Sequence, residues 1–274
     1  METPGILIEP VFLQCRHGPL FGLLIRPANQ KIVDSIIYLH PFAEEMHKSR
    51  RMAAVTARRA AAAGFAVLMI DLAGCGDSAG DFGEATWEIW TDNIVSACTW
   101  LTARFDKSVT LWGLRIGAML AAETASILPK VTRLLLWQPV TNGELFLKQF
   151  LRLKLAEEIV SGGQFSGGTS ELLARLDANL SVEIGGYELT ASMAQSLSSR
   201  RLVNLEPTES VIWLESGPMT HTSLPQASQE VVDLWRRKGA TVRIQTASCP
   251  AFWATQEISE CEAFVSASLH GLTS

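Results

Sequence analysis

An α/β fold, with a mostly parallel central sheet and helices on both faces, is the architecture this sequence predicts. Apolar runs of strand length alternate with stretches of helical periodicity, the order that builds parallel strands joined by crossover helices. Internal strands such as Phe65–Ile70 are apolar throughout, as expected when both faces of a sheet are covered. With 274 residues, 47 % hydrophobic and 19 % charged, the chain supports a large core and intrinsic disorder is excluded.

The first strands are Ile6–Gln14 and Leu20–Arg26, joined by the turn Arg16-His17-Gly18-Pro19. They predict an antiparallel edge. Ile32–Leu39 follows and stops at Pro41, which biases His40 toward extended backbone. Ser49–Ala63 reads as a helix with Ser49 as its cap and Gly64 as its terminator. After the strand Phe65–Ile70, Trp90, Ile94, Ala97 and Leu101 mark one face of a second helix. Val109–Trp112, Ile116–Leu128 and Val131–Trp137 continue as strand, helix, strand. Ser210–Leu214, Gln229–Lys238 and Thr241–Gln245 repeat that order, and Phe252–Leu269 reads as a final helix.

Gln138–Leu205 interrupts the alternation. It reads as an inserted lid within a single domain spanning residues 1–274, with helices Glu144–Val160 and Glu171–Leu176 around a mobile glycine-rich loop at 161–168. A surface excursion without function is the competing reading.

Composition narrows the partners. A net charge of −5 and the lack of a long basic run disfavour nucleic acid and anionic membranes. No apolar run approaches the roughly 20 residues that span a bilayer, and METPGILIEPVF does not read as a signal peptide. The five cysteines are scattered without CxxC spacing, so neither a zinc site nor a disulfide framework is expected and a reducing cytoplasm is. No metal or cofactor is implied.

The sharpest local feature is Leu111-Trp112-Gly113-Leu114-Arg115-Ile116-Gly117, a strand entering a helix through Gly-x-Arg-x-Gly. That is the setting of a nucleophile elbow, in which a sharp turn lifts one side chain above the sheet. His40-Pro41-Phe42-Ala43-Glu44-Glu45 follows the third strand, where an oxyanion loop belongs. Asp71-Leu72-Ala73-Gly74-Cys75-Gly76-Asp77-Ser78-Ala79-Gly80 follows the fourth. On these segments the chain resembles α/β-hydrolase-fold proteins over nearly its full length. HPFAEEMHKSRRM, DLAGCGDSAGDF and WGLRIGA resemble, more narrowly, the exosortase A system-associated hydrolases (type 2). The resemblance implies hydrolysis of an ester, thioester or related acyl bond, linked to bacterial loci for exopolysaccharide production and protein sorting.

The residues depart from that pattern. A serine triad needs nucleophile, acid and histidine in chain order. The nucleophile position holds Arg115, which stays protonated at any physiological pH. Glu215 is available as the acid, but the stretch after the last strand, Thr246 to Trp253, contains no histidine. His17, His47, His221 and His270 lie elsewhere. An arginine at a helix N-terminus opposes the macrodipole and calls for an anion, for which Glu44, Glu45 and Glu215 are internal candidates.

Candidate catalytic groups are therefore Glu45, His40, Glu215 and Ser78, with Ser78 more simply a turn residue among Gly74, Gly76 and Gly80. Cys75 and Cys249 read as inert thiols. The candidate pocket comprises Arg115, Leu114, Ile116, Phe42, Ala43, Glu44 and Trp253. Two functions stand at this point. One is a hydrolase using water activated by Glu44, Glu45 or His40. The other is a catalytically inactive relative that binds an anionic small molecule or a partner protein. Fold does not decide between them.

Overall fold

The computed structural model describes residues 5–29, 31–160, 168–217 and 224–274. Its sheet begins with a long hairpin, β1 (Ile6–Cys15) and β2 (Gly18–Pro27), paired from Ile6 opposite Pro27 to Cys15 opposite Gly18. The turn forms where Gly18 supplies a positive φ of 108°. Strands β3 (Ser35–Leu39), β4 (Ala66–Ile70), β5 (Val109–Leu114), β6 (Val131–Trp137), β9 (Ser210–Ser216) and β10 (Thr241–Ala247) complete eight strands in the order β1-β2-β4-β3-β5-β6-β9-β10. β2 meets β4 antiparallel, and every pair from β4 to β10 is parallel. The predicted parallel sheet with an antiparallel edge is present. Every residue of β3, β4 and β5 is buried, which explains their largely apolar sequences, with Ser35 and Thr110 the polar exceptions.

Helices cover both faces. Helices α1 (Glu44–Ala62) and α8 (Glu262–Thr273) pack on one, where Met52, Ala57, Trp112, Trp137 and Phe264 share a core. The other face carries α2 (Trp87–Phe105), α3 (Ile116–Ala125) and α7 (Gln226–Arg237), with Trp90, Leu120 and Trp235 in its core.

Two helix starts differ from the sequence expectation. α1 begins at Glu44, five residues before the expected cap. Ser49 lies inside it, buried, donating its hydroxyl to Glu45 O at 2.7 Å. Ala43, at φ 51° and ψ −129°, turns the chain sharply, and Glu44 and Glu45 then supply favourable negative charge to the first turn. α8 begins at Glu262 rather than Phe252. Phe252 and Trp253 are instead buried in a turn, packed on one another with ring centroids 5.0 Å apart.

Between β6 and β9 the chain leaves the sheet. It forms α4 (Gly143–Val160), α5 (Gly168–Asp177), the small hairpin β7 (Val182–Ile184) and β8 (Tyr187–Leu189), and α6 (Ala191–Ser199). The expected glycine-rich loop, but for Gly168, lies outside the described residues. The two ends of the excursion are tied together. Gly143 N–H donates to Arg200 O and Leu202 N–H to Thr141 O, both at 3.0 Å. The Arg200 guanidinium binds both carboxylate oxygens of Glu123 on α3, at 2.8 and 3.2 Å, and lies over the Trp87 ring at 4.4 Å. Arg201 pairs with Glu144 at 2.7 Å.

Candidate functional site

The link from β5 to α3 is a sharp elbow at Arg115, with φ 56° and ψ −114°. The glycines around it are required by contact rather than by φ. A Cβ on Gly113 would strike the backbone of Gly117, and one on Gly117 would strike the carbonyl oxygens of Leu39 and His40. Leu39 ends β3, so the helix start and the loop after β3 are pressed together. Arg115 is thereby held facing the first turn of α1, which carries Glu45.

Arg115 is 19 % exposed and Glu45 17 %. Arg115 Nε donates to Glu45 Oε1 at 3.4 Å, long beside the 2.7–2.9 Å or so of a strong charge-assisted bond. Its guanidinium carbon sits 5.8 Å from the Phe146 ring centroid and 5.7 Å from that of Trp253, so two aromatic faces flank the cation. The terminal N–H groups of Arg115 have no hydrogen-bond partner among the described residues. On the other side of the pair, Glu45 Oε2 is buried without any partner among the described residues. Burial pushes the Glu45 carboxyl up to about 7, against the opposing pull of the Arg115 charge.

Around this pair lies a pocket of about 220 Å³, lined by Phe42, Glu44, Lys48, Phe146, Phe150 and Trp253 together with Arg115, Glu45, Gln149, Leu153 and Ala254. Phe42 is its hub. Its ring meets those of Phe82, Trp90, Phe146 and Phe150 edge-on, at centroid distances of 5.1 to 5.8 Å. Glu44 pairs with Lys48 at 3.2 Å instead of with Arg115. A larger groove of about 550 Å³ lies among α4, α5 and α6, and holds none of the sequence-predicted residues.

The other sequence candidates are engaged elsewhere. Leu72 N–H donates to His40 Nε2 at 3.1 Å, which places the ring proton on Nδ1, where it is given to Pro41 O at 2.8 Å. Both nitrogens are spent, and burial lowers the pKa and keeps the ring neutral. Ser78 accepts from Phe21 N–H at 2.8 Å and donates to Asp71 O, so its hydroxyl holds the turn against β2. Asp71 is itself occupied by Arg50 and the Asp77 N–H. Glu215 accepts from Trp213 Nε1 and Ser228 Oγ, both at 2.9 Å, and is buried beneath α7 with its pKa raised. It lies outside the lining of the pocket.

Of the expected lining, Arg115, Phe42, Glu44 and Trp253 meet at the pocket. Leu114, Ile116 and Ala43 do not, because their side chains are fully packed in the cores on either side of the sheet. Cys75, pushed up to about 12 by burial, and Cys249, also raised, stay as protonated thiols. His221 lies outside the described residues. The sequence reading missed the α4 wall, Phe146, Gln149, Phe150 and Leu153, whose spacing of three and four marks a single helix face.

Among the described residues no helix is long and apolar enough to cross a membrane, and no group of His, Cys, Asp and Glu could hold a metal ion. No protein-family model matches the chain, and no curated protein matches it in sequence. Solved structures do match. Est1E from Butyrivibrio proteoclasticus with ferulic acid bound is 15 % identical over 96 % of this chain and 98 % of its own, with a TM-score of 0.66. XC6422 from Xanthomonas campestris, described as an α/β serine hydrolase without lid, is 16 % identical over 97 % and 94 %, with a TM-score of 0.59. The esterase Pf2001 of Pyrococcus furiosus is 13 % identical over 98 % and 91 %, with a TM-score of 0.61. The chain has the α/β-hydrolase fold.

Proposed function

We propose that this chain binds a small organic acid at the mouth of its elbow, through Arg115, and carries out no serine-based hydrolysis. The observation that carries the reading is the unspent guanidinium of Arg115. It is held by a strained turn, walled by two aromatic rings, and touched only at long range by one carboxylate. A planar fork of donors in a partly dry site recognises a carboxylate or another oxyanion. The pocket's volume of about 220 Å³ lies below the 300 Å³ or so typical of sites for larger ligands. Its walls of Phe42, Phe146, Phe150, Leu153 and Trp253 suit a flat or apolar body behind the acid group.

The excursion over residues 138–205 is the lid in this reading, since α4 supplies one wall of the pocket. The family resemblance suggests an acyl or acidic molecule of exopolysaccharide assembly as the ligand's source. Ferulate, the acid bound in the Est1E structure, is a ready first probe. Calorimetric titration of the full chain with ferulate and a series of aliphatic carboxylates is expected to show saturable binding that Arg115→Ala removes. Undiminished binding by Arg115→Ala would sink the proposal. Intact mass after a fluorophosphonate probe is expected to show no adduct, and an adduct mapped to Ser78 or any other serine would contradict the absence of serine chemistry.

A second reading has one observation of its own. Glu45, with an unpartnered oxygen and a carboxyl poised near neutrality, has the properties of a base that activates water against an acyl bond. Release of alcohol from acyl ester substrates, lost in Glu45→Gln, would favour it over simple binding.

A further inference from the structure

Two polar groups in this pocket are each left half satisfied. Among the described residues, Glu45 Oε2 is buried without a partner while Oε1 sits 3.4 Å from Arg115 Nε, and the outer N–H groups of Arg115 are open. Leaving a buried oxygen unpaired is costly, so such an atom in a pocket points to a ligand group that completes it. The charges near Glu45 are few. On its own helix stand Glu44 and Lys48, which are paired with each other, and the elbow contributes Arg115. Tyr38 on β3 senses Glu45, but burial holds its hydroxyl protonated. The facing residues of α4 (Phe146, Gln149, Phe150, Leu153) and of the turn after β10 (Trp253, Ala254) bring no charge.

We propose that Glu45 and Arg115 form a two-part carboxylate subsite: the ligand's carboxylate takes the open guanidinium N–H groups, and Glu45, as the neutral acid, donates its proton to a ligand oxygen. This rests on the binding reading above and adds a specificity-determining residue to it. An ionised Glu45 would set two carboxylates against each other, whereas the acid form turns the unpartnered oxygen into a donor. The balance is one ligand anion plus one proton from solvent entering the site. Nothing else changes charge. The buried carboxyl, already raised to about 7, makes that proton available at modest cost. The site therefore selects oxyanions with a free acceptor oxygen over neutral amides of the same shape. It also releases its ligand as the pH rises.

The test is calorimetric titration of the full chain with ferulate between about pH 6 and pH 9, in two buffers of different ionisation heat. Expected is an affinity that is level up to neutrality and then falls about tenfold per pH unit, with close to one proton taken up per ligand on the alkaline side. Glu45→Gln, whose amide N–H replaces the acid O–H, is expected to bind with no pH slope and no proton uptake. A flat affinity without proton uptake in the unaltered chain, with binding still lost in Arg115→Ala, would overturn this inference while leaving the arginine reading intact. A slope that persists in Glu45→Gln would also overturn it. Absence of binding by ferulate and every aliphatic acid tried at pH 6 would overturn both together. If Glu45→Gln fails to fold, the two-buffer comparison on the unaltered chain decides alone.

Discussion

Arg115 stands at the strained turn between β5 and α3, and its surroundings argue that a serine placed there would not act as a nucleophile. Of the histidines near the site in sequence, His40 has both ring nitrogens in backbone hydrogen bonds, and the turn after β10 offers Phe252 and Trp253 instead. Arg115→Ser is therefore expected to remain unlabelled by a fluorophosphonate, as judged by intact mass; labelling at residue 115 would show that Glu45 can serve it as a base. Glu45 gives a stability prediction. Its folded pKa, about 7, lies above the ordinary 4.5, so the fold is favoured by the acid form below pH 4.5 and loses that advantage as pH rises through 7. The shift corresponds to on the order of 3 kcal/mol. Glu45→Gln does not titrate, and its urea midpoint is expected to exceed that of the unaltered chain at about pH 8 and to converge with it in acid. The sequence narrowed the partner of Arg115 to Glu44 or Glu45, with Glu215 a third candidate, and went no further. Glu44 and Glu45 are adjacent on a helix and point about 100° apart, so choosing between them required the true start of α1.

At the scale of the element, alternation and turn residues placed the helices well and their ends less well. Ser49 has the chemistry of a cap, but the strained Ala43 and the acidic first turn begin α1 earlier. Phe252 looked helical because it starts an apolar stretch, whereas Phe252 and Trp253 are buried side by side in a turn that packs against α8. Where the cap was made by an ordinary residue, a simple prediction follows. Thr86 accepts from Ile89 N–H at 3.2 Å at the head of α2, and Thr86→Ala is expected to cost about 1 kcal/mol in denaturant unfolding. The elbow glycines are less forgiving. Gly117→Ala drives a methyl into the carbonyls of Leu39 and His40, backbone atoms of another strand and its loop. Its cost is expected to exceed that of the Thr86 cap severalfold, on the order of 3 kcal/mol or more. A smaller effect would show that β3 and α3 slide apart freely.

For the molecule as a whole, the mostly parallel sheet and its antiparallel edge were legible because apolar strands alternate with helices after a leading hairpin, while the order of the strands within the sheet was not read. How the excursion between β6 and β9 sits was not legible, since it depends on long-range pairs such as Arg200 with Glu123 and Arg201 with Glu144. Those pairs, together with the joined backbone at its base, fasten α4 beside the elbow. Arg200→Ala removes the two-pronged bond and the contact over Trp87 at once. Hydrogen exchange is expected to quicken across α4 and α6 in that variant while β3, β4 and β5 stay protected. Uniform quickening would mean that excursion and sheet open as one unit.

The backbone at residue 115 carries a cost of its own. A non-glycine residue held at φ 56° and ψ −114° gives up on the order of 1–3 kcal/mol. A ligand held by the Arg115 side chain is what would justify that sacrifice. Arginine and glycine codons differ by a single base, so genetic drift has a short route to relief. Arg115→Gly is expected to raise the unfolding free energy by about 1 kcal/mol and to lose the organic acid. A variant that gained stability and kept its ligand would mark the arginine as inherited ballast; one that gained stability and lost it would show what selection has been defending.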